Sequence, residues 1–193
     1  MINIELDGLN AVIRRFEQLS ADIKPAVAAG INRTMDAMEQ HELVAMEREL
    51  DRPTPFSLNA IQIFKARASR LDAVLFVKPI QARYLKYAIK GGLIPVNITP
   101  TRAARLNKFG NLPGKRRGLE GIAGKARTKF VGEVNGIYGV WQRYGRGGSK
   151  LKLLAKIERE AERSKRWEFY ETGQKVARDR LVRDVVRALR DAG

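Results

Sequence analysis

The sequence predicts an α+β protein: an antiparallel β-sheet built from hairpins, with N-terminal and C-terminal helices packed on it and a long basic excursion between strands. Three observations lead there. Asn135-Gly136 stands between two runs rich in β-branched and aromatic residues, and Asn-Gly suits the type I′ turn, whose two central residues both need φ > 0. Apolar residues recur at helical spacing near the N-terminus (Leu9, Val12, Phe16, Leu19) and again near the C-terminus (Ala177, Leu181, Val185, Leu189). Residues 101–129 hold nine basic residues, one acidic residue and few apolar ones.

In chain order, Asp7 is the N-cap expected before a helix over residues 8–19. Ser20 or Asp22 opens a longer helix, and Pro25 fits its first turn, where a missing N–H costs little. Ile31, Met35 and Met38 form one apolar line on it, and Leu43, Met46 and Leu50 another. It should end near Leu50, because Pro53 and Pro55 forbid helix and begin a new unit. Residues 58–66 and 73–77 read as two strands of a hairpin in the same sheet as the Asn-Gly hairpin. A short helix over 80–90 ends at Gly91-Gly92, and residues 94–96 are extended. The excursion 101–129 reads as flexible, with a short helix near 101–106. Residues 145–148 make a turn and 151–157 a strand. Residues 158–163 favour helix by composition, and a final helix covers 167–192. The whole chain reads as one domain.

The Asn-Gly turn fixes the register of residues 129–143. It pairs Val134 with Ile137, Glu133 with Tyr138, Gly132 with Gly139, Val131 with Val140 and Phe130 with Trp141. Side chains alternate faces along a strand, so Phe130, Val134, Ile137 and Trp141 share one face, taken as the hairpin core. The Tyr138 side is then free for assembly. The Gly132/Gly139 pair weakens the ladder unless something approaches closely there.

The charge is uneven. The 193 residues carry a formal net charge of +16. Residues 1–50 contain five basic and nine acidic residues, so residues 51–193 carry +20. Such a field favours a polyanion, either nucleic acid or an acidic protein surface. Lys115, Arg116, Arg117, Lys125, Arg127 and Lys129 are the candidate residues for facing DNA or a partner. Phe109 is the only aromatic among the basic residues before Phe130, too sparse for a single-strand stacking platform.

Enzyme chemistry finds little support. There is no cysteine and one histidine, His41. His41 has Glu39 and Glu42 nearby but lacks the HExxH spacing, so it reads as a surface histidine. Residues 145–150, GRGGSK, lack the spacing of a phosphate-binding loop. Glu158, Glu160 and Glu162 read as charges on a solvated helix. No catalytic, cofactor or metal residues are expected, and no apolar run approaches the length needed to span a membrane.

Four stretches carry a resemblance. They are Ala26–Thr34 (AVAAGINRT), Tyr84–Gly92 (YLKYAIKGG), Leu106–Pro113 (LNKFGNLP), and the hairpin 134–143 with Trp141, followed by a basic C-terminal helix. In this order they resemble the prophage minor tail protein Z family, the tail-completion proteins of lambda-like tailed phages. The resemblance implies a structural virion protein at the head-proximal end of a tail, assembled in the host cytoplasm. It would form a ring of six copies beside the tail terminator, tail tube and neck proteins, with genomic DNA passing through. It brings no catalytic residue, cofactor or membrane. The acidic first fifty residues depart from the pattern and argue against DNA contact by that part. The alternative is a free-standing basic nucleic-acid-binding protein.

Overall fold

The computed structural model describes residues 23–112 and 128–192. The helix expected over 8–19, with its cap at Asp7, and the opening positions Ser20 and Asp22 lie outside the described residues. The fold is α+β, with helices and antiparallel sheets. Its contacts group into two compact units. One joins Met1–Lys90 to Lys165–Gly193, and the other is Gly91–Ser164. The one-domain reading of the sequence does not anticipate this division.

The first unit is built on two long helices, α1 (Lys24–Glu49) and α4 (Phe169–Ala192). Pro25 sits in the first turn of α1, where no intrahelical donor is lost. The helices run antiparallel: Arg33 bonds Asp191 at 3.1 Å, Thr34 bonds Asp184 at 3.1 Å, and Glu42 meets Trp167. They approach closely at Gly30, where a Cβ would lie 2.5 Å from the Cα of Val185. Only glycine lets the two backbones come this near. Val27, Ile31, Met35, Met38 and Met46 from α1 join Val176, Ala177 and Val185 from α4 in one buried cluster.

Around this pair lie α2 (Pro55–Leu58), β1 (Ile61–Phe64), β2 (Val74–Val77) and α3 (Pro79–Lys90). The sequence reading excluded helix around Pro53 and Pro55. Pro55 instead opens the single turn of α2, because Thr54 caps it through Ser57 N and a first-turn proline needs no donor. β1 and β2 pair from Ile61/Val77 to Phe64/Val74 and form a two-stranded sheet of their own. The expectation that they join the Asn-Gly hairpin in one sheet is therefore corrected. Their inner residues Ile61, Leu75 and Val77 are spent on the α1 cluster. α3 buries Gln81, Leu85 and Ile89, and ends where Gly91 and Gly92 take φ of 72° and 108°.

The second unit is a four-stranded antiparallel sheet. Its strands are β3 (Gly92–Pro100), β4 (Lys129–Val134), β5 (Ile137–Tyr144) and β6 (Lys150–Arg163), in the order β3-β6-β5-β4. The β4–β5 register is the one the Asn-Gly turn dictates, with Asn135 and Gly136 at φ of 50° and 75°. β6 is longer than composition suggested. Residues 158–163 are strand, because β3 offers a full-length partner from Gly92/Arg163 to Pro100/Ala155. Cross-strand bonds hold the charged end: Asn97 Nδ2 donates to Glu158 at 3.1 Å and Arg163 donates to Asn97 at 2.6 Å. Residues 101–112 contain no helix. Thr101 begins a turn with Ala104, and its hydroxyl and N–H donate to the Leu153 and Leu154 carbonyls. Those carbonyls sit at a bulge, where β6 has one residue more than β5 between the pairs Val140/Ala155 and Trp141/Leu153. A further turn closes on Asn107, whose side chain accepts from Phe109 N and Asn111 N.

Candidate functional site

Of the expected hairpin core Trp141 is buried, while the closed apolar cluster lies on the other face. The closed cluster is Val140, Leu154, Ala155 and Ile157, with Val131, Ile98 and Leu112 packed on it. Trp141 is buried, Phe130 and Val134 are half-buried, and Ile137 is exposed at 37 %. The reason lies in the neighbouring strands. One row crosses all four as Val131, Val140, Ala155 and Pro100, apolar throughout. The adjacent row, on the opposite face, reads Gly132, Gly139, Lys156 and Thr99. The first row can close a core and the second cannot. The Gly132/Gly139 pair does have close neighbours. Trp141 Nε1 donates to the Gly132 carbonyl at 3.1 Å, and a Cβ on Gly139 would lie 2.4 Å from the Ala155 carbonyl oxygen.

Of the six basic residues singled out from the sequence, Lys115, Arg116, Arg117, Lys125 and Arg127 lie outside the described residues. Lys129 starts β4 opposite Gln142. The sequence reading missed the cations that gather beside it. Lys152 pairs with Gln142, Lys150 with Tyr144, and Leu151 with Arg143, so at one end of the sheet Lys129, Lys150 and Lys152 share one face while Arg143 lies on the other. Arg146 stands in the 3-10 turn Arg146–Gly148 that links β5 to β6. Arg143 lies over the Phe130 ring at 5.0 Å and Lys152 over the Tyr144 ring at 5.8 Å. Among the described residues, none of these five cations forms an ion pair with a carboxylate. The available signal was the absence of any acid from residues 141–152.

The sheet unit as a whole carries the charge. Residues 91–164 contain sixteen Lys and Arg against five Glu, a net of +11. Glu158 is held below the usual carboxylate range by the Lys156 ammonium and by Asn97. Lys156 is thereby occupied and adds little to the exposed field.

The helical unit contains a shallow groove of about 440 Å³ between α1 and α4, lined by His41, Arg48, Glu168, Glu171, Lys175 and Asp179 among others. His41 is exposed on α1, and no group of three or more potential metal ligands occurs among the described residues. Charges of both signs line the groove, so it concentrates neither kind of ligand. The most perturbed acid is elsewhere. Glu42 is fully buried, and burial pushes its carboxyl up to about 8, with Glu49 and Glu171 adding to the rise. Its Oε2 accepts from Trp167 Nε1 at 2.7 Å, and its Oε1 has no partner among the described residues. Glu42 is not among the residues that line the groove.

The Ile31-Asn32-Arg33 element has structural roles. Ile31 is buried, Asn32 exchanges two hydrogen bonds with the Ala66 backbone at 3.0 and 2.8 Å, and Arg33 pairs with Asp191. Tyr84 of α3 meets the Ser57 hydroxyl through its own hydroxyl at 3.0 Å. No helix among the described residues is long and apolar enough to cross a membrane. Compared with known protein families, with curated proteins and with solved structures, the chain matches none.

Proposed function

We propose that the chain is a structural virion protein: a tail-completion, or minor tail, subunit at the head-proximal end of a bacteriophage tail. It forms a ring, of six copies by the resemblance, that helps join tail to head and lets DNA pass. Its partners are other copies of itself, the tail terminator, tail tube and neck proteins, and genomic DNA held without sequence preference. It is not an enzyme, needs no cofactor and works in the virion.

The observation that carries this reading is the division of charge. The sheet unit holds a net of +11 and the helical unit +5, and within the helical unit the acidic surplus is confined to residues 1–50, at −4. Identical subunits repel when like surfaces meet, whereas a head-to-tail contact sets acidic helix against basic sheet. Such a heterologous contact closes into a ring when its rotation permits. The ordered motif resemblance supplies the setting in which a basic ring is useful.

Electron micrographs of particles made with and without this chain test the proposal. The expected result is that lysates lacking it contain filled heads and separate tails. Normally joined, infectious particles in its absence would remove the tail reading. A single copy per purified tail would remove the ring. A protein that binds duplex with a steep salt dependence and never associates with tails would be the free-standing nucleic-acid binder instead.

A further inference from the structure

We propose that the exposed apolar stripe of α3, bordered by Phe56 of α2, is the receiving surface for residues 8–19 of a second copy of this chain. The inference rests on the head-to-tail association proposed above, and it gives that association an apolar anchor within the helical unit.

α3 has two apolar sides. Gln81, Leu85 and Ile89 form the buried one. Ile80, Tyr84 and Tyr87 follow one another at spacings of four and three, so they line up on a different side of the helix. Ile80 is 62 % exposed, Tyr84 is 42 % exposed and Tyr87 is half-buried. α2 lies alongside. Gln81 Nε2 donates to the Phe56 carbonyl at 3.2 Å, and the Ser57 and Tyr84 hydroxyls meet at 3.0 Å. Phe56, 52 % exposed, therefore stands beside the stripe. Aromatic residues left open together are the composition of an interface centre. The rim is basic. Arg83, Lys86 and Lys90 are exposed on the same helix, which contains no acid. Among the described residues, none of these three pairs with a carboxylate.

The chain itself contains a matching segment. Leu9, Val12, Phe16 and Leu19 recur at helical spacing, and the acids Glu5, Asp7, Glu17 and Asp22 accompany them. Against these four acids, residues 1–22 hold two bases, Arg14 and Arg15. An acidic amphipathic helix that lays its apolar side on an aromatic patch with a basic rim satisfies both parts of the surface. Nucleic acid would engage the cations and leave Ile80 without an apolar partner.

Reach decides between the chain's own segment and that of another copy. Asn32 of α1 bonds Ala66 and Asp36 bonds Lys65, so β1, followed back from Ala66, runs toward the C-terminal end of α1. α2 directly precedes β1, and α3 starts just after Lys78, whose N–H donates to the Ala60 carbonyl. The far end of α3 bonds Trp167 through Ala88, and the Trp167 indole reaches Glu42. The patch thus lies beside α1 from about Glu42 to Glu49, which on the helical rise is about 28–39 Å from Ile23. A helix over residues 8–19 is tied to Ile23 through residues 20–22. Leu19 can then stand at most about 14 Å from Ile23, and the middle of the stripe, between Val12 and Phe16, about 22 Å. The patch of the same chain is beyond that reach, whereas the patch of a neighbouring copy is under no such limit. A contact in which each copy gives a segment to the next is heterologous, the kind that propagates around a ring.

Light scattering with two complementing variants tests the inference. The donor-defective variant carries Val12→Asp with Phe16→Asp. The receiver-defective variant carries Ile80→Asp with Phe56→Ser. Both receiver positions are exposed, and a carboxylate in the first turn of α3 suits the helix dipole. Ile80→Asp alone serves if the two substitutions together lower the melting temperature. The parent protein should associate beyond one copy. Each variant alone should stay at the 21.7 kDa of a single chain and melt where the parent melts. Mixed one to one, the variants should form a species of two copies and none larger. The intact segment of one meets the intact patch of the other, and the series of contacts stops there. A parent protein that stays single, variants that associate as the parent does, or a mixture that remains at single-chain mass would each overturn the inference. So would a donor-defective variant that melts below the parent, because the segment would then pack within its own chain. Association untouched by the variants leaves a ring built on another contact, and tails that join without the chain leave a complementing pair standing.

Discussion

Replacing Trp167 by alanine is expected to cost about 3–5 kcal/mol of stability. A loss of this size should lower the melting temperature by roughly 6–20 °C in a chain of this length. Trp167 is fully buried and stands just before α4. Its ring meets Phe169 edge-on at 5.1 Å, and Phe169 meets Tyr170 at 5.5 Å. Its backbone N–H and that of Arg166 both donate to the Ala88 carbonyl, at 2.9 and 2.8 Å. The residue thus joins the end of α3 to the start of α4. Truncation removes the ring and also takes away the indole N–H that donates to Glu42. Trp167→Phe separates the two effects: most of the buried area stays, the donor goes, and about 1–3 kcal/mol should be lost. Thermal and urea melts followed by circular dichroism read both. An alanine variant melting within a degree or two of the parent protein would show that the aromatic cluster is dispensable.

Raising the pH from about 5 to 8 is expected to destabilise the helical unit, and Glu42→Gln should abolish most of that dependence. Burial holds the folded Glu42 carboxyl at about 8, against an ordinary value of 4.5. Below the ordinary value both folded and unfolded chains carry the proton, and Glu42 contributes no slope. Between the two values the folded chain keeps a proton that the unfolded chain releases, so stability falls as pH rises. The slope approaches about 1.4 kcal/mol per pH unit and levels off above the folded value. The groups acting on Glu42 are the Trp167 indole and the Gly173 backbone, which lower its pKa, and the Glu49 and Glu171 carboxylates, which raise it. Glutamine keeps an oxygen for the indole and has no proton to lose. Urea midpoints taken at half-unit pH steps compare the two proteins. Parallel curves would assign the pH dependence to another group.

How legible this was depended on the range of the interactions. The β4–β5 register follows from two residues, Asn135 and Gly136, because a two-residue turn leaves no freedom in pairing. α3 was equally local, bounded by Pro79 and by glycines at φ values that oppose helix. The buried face of the hairpin was not local. It is decided by Ala155, Ile157 and Ile98, which come from strands remote in sequence. The strand character of residues 158–163 has the same origin: a charged, helix-favouring string is held extended by Asn97 and the rest of β3. For the candidate site, a search for dense runs of cations found residues 115–117 and overlooked Arg143, Arg146, Lys150 and Lys152. These are dispersed in sequence, and the ladder sets Lys150 and Lys152 on one face of the sheet and Arg143 on the other. Trp167 was taken as the first residue of a helix, although the aromatic string Trp167-Glu168-Phe169-Tyr170 hinted at a cluster.

The sheet unit is one continuous stretch, Gly91–Ser164, while the helical unit is made from two separated ones. This arrangement orders events on the ribosome. α1 emerges early, yet its main partner is α4, whose Asp184 lies 150 residues beyond Thr34. Until α4 has been made, Val27, Ile31 and Met38 have no helix to cover them. The strands β3 to β6 all precede α4 in the chain and can pair while α4 is still being synthesised. During that interval α1 is the exposed apolar surface of the nascent chain, and its acidic residues keep it apart from copies of itself. A chaperone that holds nascent chains would find its site there, on the half-finished helical pair.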